Sequence, residues 1–115
     1  MISEKELYLA FLELTDNLEL YGVTCGLNIR LNKPVPAVAV MEMFDTFEKM
    51  IELSLDNLSA VNISVTLNDG IFTMTVTAES STDFNVMNGD FVTAVCDDDG
   101  EWQIVYRREA KRCKA

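Results

Sequence analysis

The chain has 115 residues, 49% of them apolar, and a formal charge of −10 from 19 acids against 9 bases. That length fits one domain with its own core, and that charge argues against nucleic acid, whose phosphates need clustered Lys and Arg. Histidine is absent, which excludes serine or cysteine triads of the usual kind, His-ligated metals and imidazole acid–base chemistry.

The first predicted element is a helix over "SEKELYLAFLELTDNLELYG". Leu7, Phe11, Leu14, Leu18 and Tyr21 recur at three- and four-residue steps and form one apolar stripe. Ser3 with Glu6 has capping-box spacing, and Gly22 stands where a left-handed cap stops a helix. "VTCGLNIRL" then alternates, with Val23, Cys25, Leu27, Ile29 and Leu31 on one face of a half-buried strand. "NKPVP" breaks it, and Pro36 suits the first turn of a second helix from about Ala37 to about Leu58. The apolar stripe of that helix runs through Val40, Phe44, Phe47, Ile51, Leu55 and Leu58.

Period two returns at Val61, Ile63, Val65 and Leu67, and "NDG" at 68–70 makes a tight hairpin turn into "IFTMTVTA". After an irregular stretch, "ESSTDFNVMNGD", a last hairpin pairs "FVTAVC" with "WQIVYR" across "DDDG". The acids of that turn are contiguous rather than alternate, so it reads as an acidic turn and not an EF-hand loop. Trp102, Ile104 and Tyr106 share a face and are expected in the core, as are most of Met41, Met43 and Met50. Nearly every strand sets a Thr, Ser or Asn face against an apolar one. The fold class is therefore α+β: a two-layer, open-faced α/β sandwich whose mixed sheet of about five strands carries two main helices on one face.

Cys25, Cys96 and Cys113 are odd in number and lack CxxC spacing; Cys25 and Cys96 fall in strands and read as small apolar side chains in a reducing compartment. No leader peptide and no apolar run long enough to span a bilayer is read, so the expected setting is cytoplasmic, as a whole chain or a piece of a larger one. The whole of 1–115 is expected to form a single domain.

The stretch from about Leu7 to Glu79 resembles the C-terminal ATP-binding domain of sensor histidine kinases, the GHKL or Bergerat-fold ATPases. "YGVTCGLNIRL", "KPVPAVAVMEMFDTFEKMIELSLDNL" and "VNISVTLNDGIFTMTVTAE" match the family's strand, Pro-led long helix and hairpin in order and length. "FVTAVCDDDGEWQIVYR" looks like its terminal hairpin. The resemblance implies an N box, E-x-x-x-N-x-x-x-H, on the long helix; here Glu48 matches, Glu52 replaces the Asn that ligates magnesium, and Asp56 replaces the His. Where the family has D-x-G-x-G this chain reads "TAESSTD", with Glu79 a rough stand-in for the Asp. The family's lid and second glycine-rich box are missing, Gly89 being the one glycine before the final hairpin.

Glu48, Glu52, Asp56 and Glu79 are accordingly vestigial nucleotide-face positions, with no catalytic residue, no metal site and no cofactor expected. Mg-ATP is expected only if the acidic row is a rebuilt site. At ~100° per residue, Asp45, Glu48, Glu52 and Asp56 spread over roughly 140° of the helix, as a plain solvated face would. The expected function is a degenerate, non-catalytic signalling module whose partner is a protein, either an upstream dimerisation region or a signalling partner, with no nucleic acid and no membrane contact. The alternatives are a working ATP-binding domain of a sensor histidine kinase and a small acidic α/β chaperone of the type III secretion sort, which sheet order would separate.

Overall fold

A computed structural model describes residues 1–110; Cys113 and the basic tail beyond Ala110 lie outside the described residues. In chain order the elements are α1 (Glu4–Leu20), β1 (Thr24–Arg30), α2 (Ala37–Ser54), β2 (Leu58–Asn68), β3 (Ile71–Ser80), a 3-10 turn (Asn85–Met87), β4 (Val92–Cys96) and β5 (Glu101–Glu109). The five strands form one open sheet in the order β1-β2-β3-β5-β4. β1 and β2 are parallel, joined through α2, and the other neighbours are antiparallel. α1 lies on β1, and α2 lies on β3 and β5. This is the expected two-layer sandwich.

Local chemistry sets the boundaries. The Ser3 hydroxyl accepts from Glu6 N at 3.2 Å while Ser3 N donates to Glu6 Oε1 at 3.1 Å, closing the capping box. Gly22 takes φ 84°, the left-handed region, and Val23 N then returns to the Leu18 carbonyl. Asp69 (φ 53°) and Gly70 (φ 78°) are both left-handed, which makes the first hairpin a two-residue turn of the primed type. An antiparallel bridge between Ile2 and Val35, one just ahead of each helix, starts α1 and α2 side by side, and the contacts of Phe11 with Phe44 and of Leu14 and Leu18 with the hollow lined by Phe47 and Ile51 show them advancing in parallel.

The structure departs from the sequence expectations at several places. α2 stops at Ser54, and Leu58 is the first residue of β2 rather than the last of the helix stripe; its three-residue step from Leu55 fits the helical period, and the strand buries it with Val61 only through a bulge between Leu58 and Ala60. Pro36 is the N-cap, not a first-turn residue. The buried stripe of α2 runs through Ala39, Val40, Met43, Phe47, Met50 and Ser54, rotated from the expected one, so Phe44 and Ile51 are half-buried and Leu55 is exposed. On α1, Tyr21 lies past the helix end and is 74% exposed. Met43 and Met50 fill the core as expected, and Met41 does not. Cys25 is half-buried, but Cys96 is exposed on the edge strand.

The core joins the helices to the sheet through Phe11, whose ring centroid lies 4.8 Å from that of Phe44 and 5.5 Å, edge-on, from that of Phe47. The stretch between the two hairpins, expected to be irregular, is structural: Phe84 and Met87 are buried, and Phe84 meets Trp102 edge-on at 5.5 Å. The far end of β5 is tied to α2 through Tyr106, whose hydroxyl donates to Glu42 Oε2 at 2.9 Å, and through an ion pair between Glu42 and Arg108. The Arg108 guanidinium also stands 5.0 Å above the Phe91 ring. Arg108, and secondarily Tyr106, hold the Glu42 carboxyl below its ordinary value of 4.5, while burial and Glu42 push the Tyr106 phenol up.

Phe84→Ala removes a fully buried ring, and a loss of about 3–5 kcal/mol of unfolding free energy is expected by urea titration. Glu42 contributes through a depressed pKa, so its share of stability is present above the ordinary carboxylate value and lost as pH falls through its folded value. Wild type is therefore expected to be more stable than Glu42→Gln at neutral pH, with the difference starting to shrink near pH 4.5 and disappearing only as pH falls through the lower folded value. Paired melting curves across that range check it.

Candidate functional site

The candidate residues fall on two sides of the sheet. Glu48 and Glu52 stand on the solvent side of the helix layer, where they wall a hollow of about 210 Å³ between α1 and α2. Leu14, Leu18, Phe47 and Ile51 floor it, and Asn17 faces the two glutamates. Asp56 lies beyond the end of α2, exposed in the turn that leads to β2. Glu79 alternates with the buried Ala78, so it shares the open face with Thr77 and Thr75. The structure thus groups Glu48 with Glu52 and sets Glu79 on the opposite face of the sheet. Among the described residues no group of three or more His, Cys, Asp or Glu could hold a metal ion.

Glu79 belongs to a different feature, an open cleft of about 440 Å³ at the end of the sheet where β3 stops and β5 starts. Asn57, Ser59, Ser80 and Ser81 line one part of it, and Asp97, Asp99, Gly100 and Glu101 the other. Among the described residues its ionisable lining is four carboxylates with no Lys or Arg. Asp97 is committed to the turn itself, its Oδ1 accepting from Asp99 N and Glu101 N at 2.9 Å each, which satisfies the reading of "DDDG" as an acidic turn. The Cys25 thiol, at the β1 side of this end, is pushed up by burial and by the Glu19 and Asp16 charges, so it stays a neutral thiol.

The polar cluster that organises this end centres on Asn57, which the spacing argument passed over. Its Oδ1 accepts from the Ser80 hydroxyl and, at 2.8 Å, from the Thr82 hydroxyl. Thr82 N donates to Ser80 Oγ at 3.0 Å, and the Thr82 hydroxyl is also 3.3 Å from the Leu53 carbonyl. Asn57 therefore joins the end of α2, the end of β3 and the start of the connecting segment. The available signal was compositional: an Asn closing a helix, and a Ser-Ser-Thr run closing a strand, both types that bond locally to backbone and to each other.

No family model and no curated protein sequence matches the chain. Solved structures do. The Acinetobacter baumannii histidine kinase AdeS superposes with a TM-score of 0.64 at 10% identity, covering 95% of this chain and 66% of its own. The catalytic domain of the histidine kinase ThkA, in a nucleotide-free form, gives 0.57 at 7% identity and covers 92% of this chain and 90% of its own. The chain has the fold of these histidine-kinase catalytic domains, as the order of its elements implied.

Asn57→Ala removes the acceptor shared by the Ser80 and Thr82 hydroxyls at an exposed joint and is expected to cost about 1 kcal/mol. Asn57→Asp keeps both acceptor bonds, so urea titration should place it between Asn57→Ala and wild type.

Proposed function

We propose that this domain is a degenerate histidine-kinase-type ATP-binding module that works in the cytoplasm by binding a protein rather than by turning over ATP. One observation carries the reading: the segment between β3 and β4 is spent on the core. Phe84 and Met87 sit inside, and Trp102 packs on Phe84, so about a dozen residues serve as a plug where the resemblance calls for a lid and a phosphate cradle.

Charge supports the same reading. A triphosphate needs backbone donors, glycine-rich turns or cations, with magnesium bridging its oxygens. Glu48 and Glu52 face solvent across the sheet from Glu79, and the cleft around Glu79 is lined by carboxylates alone among its ionisable groups. Each exposed like-charge contact at about 4 Å opposes a phosphate by about 1 kcal/mol. These residues do not fit Mg-ATP as a set. The likeness in fold to AdeS and ThkA is what makes signalling the setting of choice, and a domain that retains this fold without its nucleotide is left with surfaces.

Trp102 reports on the plug directly. Titrating Mg-ATP to millimolar concentration while following Trp102 fluorescence and melting temperature is expected to change neither. A saturable, magnesium-dependent quench with a rising melting temperature, lost in Glu52→Ala, would establish the rebuilt acidic site in its place.

A further inference from the structure

We infer that the hollow between α1 and α2 is the protein-binding surface of this domain, and that its occupant is a cationic amphipathic helix of a partner protein. The inference rests on the reading of the domain as a binding module and names the surface and chemistry involved.

The fold leaves a set of apolar side chains without cover. The sequence writes two apolar stripes on α2 that share Phe47. The sheet takes the one through Met43 and Met50, both fully buried. The other, through Phe44, Ile51 and Leu55, is left half-buried to exposed, Leu55 at 40%. On α1, Leu14 and Leu18 point into the same hollow, and Tyr21, one turn beyond Leu18, is 74% exposed. Because α1 and α2 are parallel and start together, Leu14 lies level with Phe47 and Leu18 with Ile51. The result is a trough a little over one helical turn long, floored by Leu14, Leu18, Phe47 and Ile51 and open to solvent, with the exposed Tyr21 and Leu55 flanking its C-terminal end, where a longer helix runs on over them. A third helix laid between two helices seats its own ridge in such a trough, with anchors at i, i+3 or i+4, and i+7.

Charge selects which helix. Glu48 and Glu52 form the α2 wall. Both helices end at this side of the molecule, and neither has a basic residue in its last turn. Two parallel helix dipoles thus present their negative ends together, with no basic residue in either last turn. The chain carries −10 overall, so a second copy of itself or an acidic surface would approach against a strong field, whereas Lys and Arg flanking an apolar stripe would be drawn in.

The test uses a Leu/Lys peptide of 18 residues, the length of α2, with leucines at helical spacing. Its control has the same composition with leucines alternating as in a strand. Isothermal titration at physiological salt should give micromolar binding of the helical peptide and binding about tenfold weaker, or less, for the control. Tyr21→Ser with Leu55→Ser changes only exposed side chains, so the double variant should melt as wild type does yet bind about tenfold more weakly. Glu48→Gln with Glu52→Gln should weaken binding and flatten its salt dependence. Phe91→Ser, at an exposed aromatic just ahead of the far edge strand, should leave binding unchanged.

Equal affinity for both peptides, or wild-type affinity in the Tyr21→Ser, Leu55→Ser variant, overturns the inference. So does self-association of the free protein in sedimentation that this double variant abolishes, which would make a second copy the occupant. The nucleotide titration reads the plug and the peptide titration reads the trough. A domain that binds Mg-ATP and the helical peptide would sink the reading of the nucleotide site alone.

Discussion

A five-stranded sheet is wider than two helices can roof. Strands spaced about 4.8 Å apart put roughly 19 Å between the first and last, while two packed helices, at 8–10 Å between axes, leave one margin thinly covered. Here α1 and α2 start over β1 and reach β3 and β5, so the margin falls at β5 and β4. Trp102, Ile104 and Ala94 would be wet there without a further layer. Phe84 and Met87 supply it on the helix side, and Tyr106 with Glu42 and Arg108 fastens the helix edge to the strand. Much of what the molecule can do follows from that shortage. A segment whose aromatic ring closes the core cannot also swing as a loop over a ligand, since opening it would expose Phe84 and the Trp102 face together.

The same shortage explains which parts of the fold were legible in the sequence. Strand alternation, the Ser3–Glu6 capping box, the Asp69–Gly70 turn and Gly22 are local, each decided within a few residues, and all stand where the residue pattern put them. Helix rotation is not local. Positions 43, 47, 50 and 54 and positions 44, 47, 51 and 55 are both acceptable apolar rows, and only the sheet beneath decides between them. The plug was hidden for a related reason: Phe84 and Met87 have no period, and three residues of 3-10 turn leave no pattern. The Tyr106–Glu42 bond joins positions 64 residues apart and has no signature in one sequence.

The candidate site was legible in composition and not in space. Glu48, Glu52 and Asp56 are spaced as a helical row, yet α2 ends before Asp56 and the row is cut. Glu79 was chosen by its place after the hairpin, but strand parity gives the helix-facing position to Ser80, which takes it and bonds Asn57. Parity would have shown this, had the end of β3 been known to within one residue.

These facts bear on why the helix layer looks as it does. A sheet needs one apolar stripe from each helix, and a solvated helix face needs none. α2 carries two stripes, and α1 extends its own through Leu14 and Leu18 to Tyr21 beyond its last turn. Exposed apolar residues scattered singly require no explanation, but a row continuous with the core and bordered by carboxylates is a different thing. The acids keep such a face from collapsing onto a second, equally acidic copy, because two surfaces of like charge repel before their apolar floors can meet. The excess charge and the excess apolar surface are therefore compatible with each other in solution: the first keeps the second soluble, and a partner carrying cations beside an apolar stripe is the class that would satisfy both.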